Sequence, residues 1–203
     1  MAKKYYAVLK GLTPGIYESW AEAEEQVKGF PGAEFKSFKT KKEATAYMGG
    51  EEVEKDEPEL LDGLCAFVDG SFDSESKIYS YGIVYLYQGE LKTENGVGTN
   101  EEAASMRNVA GELRGAMLAM KYASDNGFDK INIYHDYEGI AAWAEGRWKT
   151  NLSCTAAYKS YCEKMKSKIK VHFVKVPAHS GITYNEMADE LAKAAVKAEK
   201  ESR

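Results

Sequence analysis

A chain of 203 residues with 44% hydrophobic and 12% aromatic side chains can bury one large core or two modest ones. No apolar run reaches the length that crosses a bilayer, and the lysine-bearing start Met1–Lys10 lacks an apolar signal core with a cleavage site, so a cytoplasmic protein with no membrane partner is expected. The net charge of −5 excludes a uniformly basic polyanion binder, but it is unevenly spread: residues 1–48 hold eight lysines against six glutamates, residues 49–62 one lysine against seven acids, and residues 63–203 are close to neutral.

The chain opens with an aromatic and apolar run, Tyr5–Leu9, read as a strand. A Pro14-Gly15 turn leads to a short strand at Ile16-Tyr17. Ser19-Trp20-Ala21-Glu22 has the spacing of a capping box and opens a helix that Gly29 and Pro31 stop. Glu34–Phe38 reads as a strand, and Thr40-Lys41-Lys42-Glu43 as a second capping box starting a helix to Met48. Residues 49–62 combine two glycines, a proline and like charges that repel one another, which is the composition of an extended acidic linker. The boundaries read from this pattern are a module at 1–48, a linker at 49–62 and a larger domain at 63–203.

Beyond the linker, Leu64–Val68 is a continuous apolar run, as in a strand buried on both faces. Tyr79–Gln88 and Leu91–Val97 are further strands, and Asn108–Asn126 is a helix. Lys130–His135 is a strand, Glu138–Trp143 a short helix, Cys154–Lys166 a helix, Ile169–Val176 a strand and Thr183–Lys200 a final helix. Three successive strands followed by alternating helices and strands predict an α/β domain with a mixed sheet covered by helices. Cys65, Cys154 and Cys162 form neither a disulfide framework nor a metal-binding CxxC pair, and read as inert thiols.

Four carboxylates stand out. Asp69 follows the run Leu64–Val68 and Asp136 follows Ile131–His135, which places both at strand ends, where ligand sites of α/β sheets gather. A turn role is the plain alternative for each. Glu112 has Val109, Ala116, Ala119 and Met120 at helical offsets, which puts it on the buried stripe of its helix. A carboxylate there costs several kcal/mol unless it is paired or bound to a cation; Arg107 and Arg114 are the arginines at hand. Asp189 lies in the first turns of the last helix, where Thr183-Tyr184-Asn185-Glu186 is a third capping box that accounts for Glu186 but not for Asp189. His179 stands in a loop, followed by small residues, and is either solvated surface or a participant in chemistry. Acids that converge without balancing cations repel one another, and divalent ions relieve that repulsion. Oxygen ligands of this kind suit Mg²⁺ or Mn²⁺ rather than zinc, and two such ions can activate a water against a phosphodiester.

The stretches Phe67-Val68-Asp69-Gly70-Ser71, Arg107–Leu113, Ile133-Tyr134-His135-Asp136 and Lys175–Ala195 together resemble the type 1 ribonuclease H family over about residues 63–197. The last stretch, a histidine loop followed by Asn-Glu-Met-Ala-Asp-Glu-Leu-Ala, is the most specific. The resemblance implies a mixed five-stranded sheet flanked by helices. It implies Asp69, Glu112, Asp136 and Asp189 as ligands of two Mg²⁺ ions, with Mn²⁺ able to substitute, and His179 as an assisting catalytic residue. The N-terminal module resembles the small α+β hybrid-binding domain attached to many such enzymes and also found in a caulimovirus protein. The matching residues are Tyr5–Val8, Gly15-Ile16-Tyr17, Trp20, Gln26-Val27, Phe30-Pro31, Ala33–Phe38 and Glu43-Ala44. Tyr6, Trp20, Phe35 and Lys36 are the positions that the resemblance assigns to nucleic acid.

The implied activity is endonucleolytic hydrolysis of the RNA strand of RNA–DNA hybrids, giving 5′-phosphate and 3′-hydroxyl ends, with no obligate protein partner. Gly70, Ser71 and Asn108 are candidates for reading the 2′-hydroxyls across the wide minor groove, and Trp148, Lys149 and Thr150 for lining the DNA side. The chain departs from the family pattern at Ser37, where a second basic residue can follow, at Tyr137, where a small hydroxyl residue is common, and in an extra residue within Arg107–Glu112. The bacterial basic protrusion is missing as well. The competing readings are a non-catalytic binder of hybrids or double-stranded RNA on the same fold, and a structural α/β protein with coincidental motifs. Against the binder stands the full set of acids, which repel phosphates and bring a pure binder nothing.

Overall fold

The computed structural model describes residues 4–49, 58–98, 100–178 and 181–202, with the Lys42 side chain excepted. The chain divides into two compact units, Met1–Lys55 and Asp56–Arg203. Most of the acidic stretch between the expected domains, residues 50–57, lies outside the described residues.

The first unit is built from β1 (Tyr5–Lys10), β2 (Gly15–Tyr17), α1 (Trp20–Val27), β3 (Glu34–Phe38) and α2 (Lys41–Tyr47). Its antiparallel sheet has the order β2-β1-β3. Both expected capping boxes close: the Ser19 hydroxyl accepts the Glu22 N–H at 3.3 Å while Glu22 accepts the Ser19 N–H at 3.1 Å, and Thr40 and Glu43 do the same. The buried side chains are small (Ala7, Val8, Ala23, Ala44), so this module keeps its larger aromatics near the surface.

The second unit contains β4 (Leu64–Phe72), β5 (Tyr79–Tyr87), β6 (Glu90–Gly98), α3 (Glu101–Ala104), α4 (Asn108–Asp125), β7 (Lys130–His135), α5 (Gly139–Ala144), α6 (Ser153–Lys166), β8 (Lys170–Lys175) and α7 (Thr183–Ser202). The sheet order is β6-β5-β4-β7-β8, with antiparallel pairing on the β5 side of β4 and parallel pairing on the β7 side. This is the mixed five-stranded sheet expected. Alternation along β4 explains its unbroken apolar run: Leu64, Ala66 and Val68 join the core beneath α4, α5 and α6, while Cys65 and Phe67 join the core shared with α7. Phe67 stacks on Tyr134 with centroids 4.3 Å apart. Each fully buried side chain of this size contributes about 1.5–3 kcal/mol. Among the described residues, no helix is long and apolar enough to cross a membrane.

The structure differs from the sequence expectation in two places. β4 does not end at Val68 but continues through Asp69 to Phe72, because β5 goes on offering pairing partners from Gly82 to Tyr79. Pairing there overrides the turn preference of Asp-Gly-Ser. The short helix α3 is additional, held at its start by the Asn100 Oδ1, which accepts the Ala103 N–H at 2.8 Å.

Two glycines set the distance between α4 and the sheet. A Cβ on Gly111 would lie 1.8 Å from the Ser80 carbonyl oxygen, and one on Gly70 would lie 2.1 Å from that of Asn108. The helix therefore touches β4 and β5 backbone to backbone. Gly111→Ala is expected to push α4 outward, destabilise the protein by about 1–3 kcal/mol and reduce activity more than the stability loss explains; an unchanged melting temperature would refute the contact. At the opposite end of β4, the Tyr134 hydroxyl accepts the Leu61 N–H at 3.0 Å and donates to the Glu59 carbonyl at 3.2 Å. The Asn132 amide donates to the Asp62 carbonyl at 2.9 Å. The chain entering β4 is thus fastened to side chains of β7.

Candidate active site

The parallel pairing of β4 with β7 ends at Phe67 opposite Tyr134. Asp69 and Asp136 each lie two residues further on. With a side-chain period of two, Asp69 occupies the same face of β4 as Phe67, and Asp136 is the first residue after β7. Glu112 arrives from α4, brought in by the Gly70–Gly111 approach. Carboxylate oxygens of Asp69, Glu112 and Asp136 all lie within 4.8 Å of one another. Asp69 is therefore a mid-strand residue whose parallel neighbour has ended, rather than the strand-end residue the sequence suggested.

These acids are placed at a cost. Asp69 is 7% exposed and Glu112 1% exposed. Burial, followed by repulsion from Asp136, pushes the Asp69 carboxyl up to about 7, even though the Gly70 N–H donates to its Oδ1 at 2.7 Å. Burial, then Asp136 and Asp69, push Glu112 up to about 9. The alternative of an arginine partner is not taken up: Arg114 lies over the Tyr81 ring at 5.6 Å, and among the described residues the Glu112 Oε2 has no hydrogen-bond partner. Arg107 precedes α4 with φ 56° and ψ −130°, a backbone region that L-residues rarely occupy.

Asp189 stands outside the 4.8 Å cluster. It is half-buried on α7, ion-paired with Lys193 at 2.5 Å, and close enough for its charge to contribute to the raised Asp69 pKa. His179 lies outside the described residues. Two lysines at the site were not singled out in the sequence. Lys175 donates to the Asp136 carbonyl, and to the Val176 carbonyl at 3.1 Å, and its charge favours ionised Glu112. Lys193 was legible only as the i+4 partner of Asp189. Behind the cluster, His135 is fully buried with Nδ1 2.9 Å from the Tyr137 carbonyl, and burial lowers its pKa to about 4, so it stays neutral.

The remaining candidates surround the acids. Gly70 is buried, Ser71 half-buried and Asn108 exposed at the first position of α4. Trp148, 40% exposed, packs edge-on against Trp143 and Tyr137, next to Asp136 in sequence, and is followed by exposed Lys149 and half-buried Thr150. In the other unit, Trp20 sits between Tyr6 and Phe35, with ring centroids 5.6 Å apart in both cases. Trp20 and Phe35 are 41% and 44% exposed, so they are not core residues. Lys36 is exposed beside them, its Nζ 5.7 Å from the Phe38 ring centroid.

A buried, unpartnered Glu112 oxygen facing two further carboxylates fits a hard divalent cation, whose charge would offset the repulsion that raises these pKa values. The chain is also similar to known proteins. Residues 62–197 match the RNase H family, and residues 4–48 match the family described as the Ribonuclease H1 N-terminal domain. Ribonuclease H1 of Homo sapiens is 26% identical over 261 residues, covering 95% of this chain and 89% of its own length. The crystal structure of RNase H1 from Halobacterium salinarum superposes with a TM-score of 0.54 at 20% identity, covering 66% of this chain and 98% of that one. LC11-RNase H1 in complex with an RNA/DNA hybrid gives 0.52 at 15% identity, covering 66% and 99%. At these identities the two crystal structures speak for the fold.

Proposed function

The chain belongs to the RNase H family, and from that premise we propose that it cuts the RNA strand of RNA–DNA hybrids in the cytoplasm with two Mg²⁺ ions, leaving 5′-phosphate and 3′-hydroxyl ends. The observation that carries this reading is the trio Asp69, Glu112 and Asp136 within 4.8 Å, with a buried Glu112 oxygen that lacks a partner. Asp69, Glu112, Asp136 and Asp189 would hold the ions. Bound divalent cations supply an activated water and a Lewis acid for the departing 3′ oxygen. Asp69 and Glu112 are held rigidly by β4 and by the close α4 contact, so they present charge without reorganising. Lys175 fixes the Asp136 backbone through its carbonyl. His179 assists proton transfer or product release. Ser71 and Asn108, on either side of the buried Gly70 backbone, face the RNA strand, and Trp148, Lys149 and Thr150 the DNA strand. Residues 1–48 bind the hybrid through Tyr6, Trp20, Phe35 and Lys36, and residues 49–62 tether them to the catalytic domain at 63–203.

The test is cleavage of a labelled hybrid, compared with single- and double-stranded RNA, in Mg²⁺ and in EDTA. Hybrid-only, EDTA-sensitive cutting is expected; tight hybrid binding without cutting in both Mg²⁺ and Mn²⁺ would favour a binding protein.

The raised carboxyls also predict a pH signature. A group whose folded pKa exceeds its unfolded value stabilises the fold below the unfolded pKa and loses that contribution as pH rises through the folded one. For Asp69 that window runs from 3.8 to about 7, and for Glu112 from 4.5 to about 9. The metal-free protein should therefore lose melting temperature from this site between pH 5 and pH 9. Saturating Mg²⁺ should restore more of it at the alkaline end. A Mg²⁺ shift that is the same at both ends, measured by calorimetry, would contradict this account.

A further inference from the structure

Lys193 is an exposed lysine of the last helix. It projects from α7 one turn beyond Asp189, its side chain is 61% exposed, and its Nζ lies 2.5 Å from the Asp189 Oδ2. Exposed i,i+4 pairs of this kind add little to stability and give way readily. The ammonium also lowers the raised pKa of Asp69, which lies on the face of β4 that α7 covers. The two lysines sit at different acids: the Lys175 ammonium donates to the Asp136 carbonyl, and the Lys193 ammonium pairs with the Asp189 carboxylate.

We propose that Lys193 is a built-in counterion that occupies the Asp189 side of the site and is displaced when the second divalent cation binds there. This inference rests on the two-ion reading of the acids. A dication approaching Asp189 must share the carboxylate with the ammonium or expel it, and the flexible four-carbon stem lets the ammonium swing into solvent. Lys193 would thus weaken cation binding on the Asp189 side of the site and leave the Glu112–Asp136 side, beside Lys175, largely unaffected. It is a positioning residue, acting through Asp189.

The experiment is isothermal titration of the full chain with Mn²⁺, comparing the wild type with Lys193→Met, which keeps the stem without the charge, and Lys193→Arg, which keeps the charge. Removing one unit charge within a helical turn of a dication should tighten the weaker binding event about five- to tenfold. The tighter event should be unchanged in Lys193→Met, and Lys193→Arg should resemble the wild type. The Mg²⁺ concentration for half-maximal cleavage should fall by a similar factor in Lys193→Met. A role confined to helix stability would lower the melting temperature and leave the isotherm unmoved, and that outcome overturns the proposal, whether the wild type shows two events or one. Equal tightening of both events also overturns it, since the charge would then not be local to Asp189. Absence of Mn²⁺ binding to the wild type would refute the two-ion reading itself and this inference with it.

Discussion

Asp69→Asn is expected to reduce hybrid cleavage by about a thousandfold or more while leaving hybrid binding intact, because it removes a carboxylate of the acid trio and keeps the shape of the strand. The same substitution should make the metal-free protein more stable. Near pH 8 the wild-type Asp69 is ionised against its raised pKa of about 7, a cost of about 2–4 kcal/mol. Asn carries no such cost, and a gain of several degrees in melting temperature should follow. The gain should fade toward pH 5, where Asp69 is protonated. Loss of activity together with loss of stability at every pH would mean that Asp69 is a structural residue and that the acids are not a metal site.

The second large effect concerns the N-terminal aromatic cluster. Trp20→Ala and Phe35→Ala remove exposed rings, so the small core of Ala7, Val8, Ala23 and Ala44 should persist. Each ring stacked on nucleic acid is worth about 1–3 kcal/mol, which corresponds to an affinity for hybrid about fivefold to 150-fold weaker per substitution. The double variant should approach the affinity of a chain lacking residues 1–48. The effect should fall on KM, with kcat on saturating hybrid unchanged, since tethering raises local concentration without touching the chemistry. A double variant that binds hybrid as tightly as the wild type would remove the module from substrate binding.

Much of this architecture is legible in the sequence because local signals and packing agree. Ser19–Glu22 and Thr40–Glu43 are spaced as capping boxes and form them. The offsets around Glu112 put it on the buried stripe, and it is among the most buried residues of its helix. What could not be read is set by partners distant in sequence. Asp-Gly-Ser has the composition of a turn, and only the length of β5 keeps it a strand. α3 has four residues and too little periodicity to register, although Asn100 and the following acids are its cap. The contact of Gly70 and Gly111 with the facing backbones has no local signature, yet it determines how near Glu112 comes to Asp69. Lys175 looks like an ordinary end-of-strand lysine until β7 and β8 lie side by side and its ammonium meets the Asp136 carbonyl.

The fastening of Glu59, Leu61 and Asp62 by Tyr134 and Asn132 has a mechanical meaning. The chain enters the larger unit through β4, the middle strand of the sheet, with pairing partners on both sides. A pull transmitted along the preceding segment is resisted first by the hydrogen bonds to the two side chains of β7. It then runs lengthwise along β4, loading the bonds to β5 and β7 in parallel shear instead of peeling an edge strand open one bond at a time. Asp69 sits beyond the last β4–β7 pair, two residues past Phe67. Force arriving from the N-terminal side is therefore spent before it reaches the carboxylates.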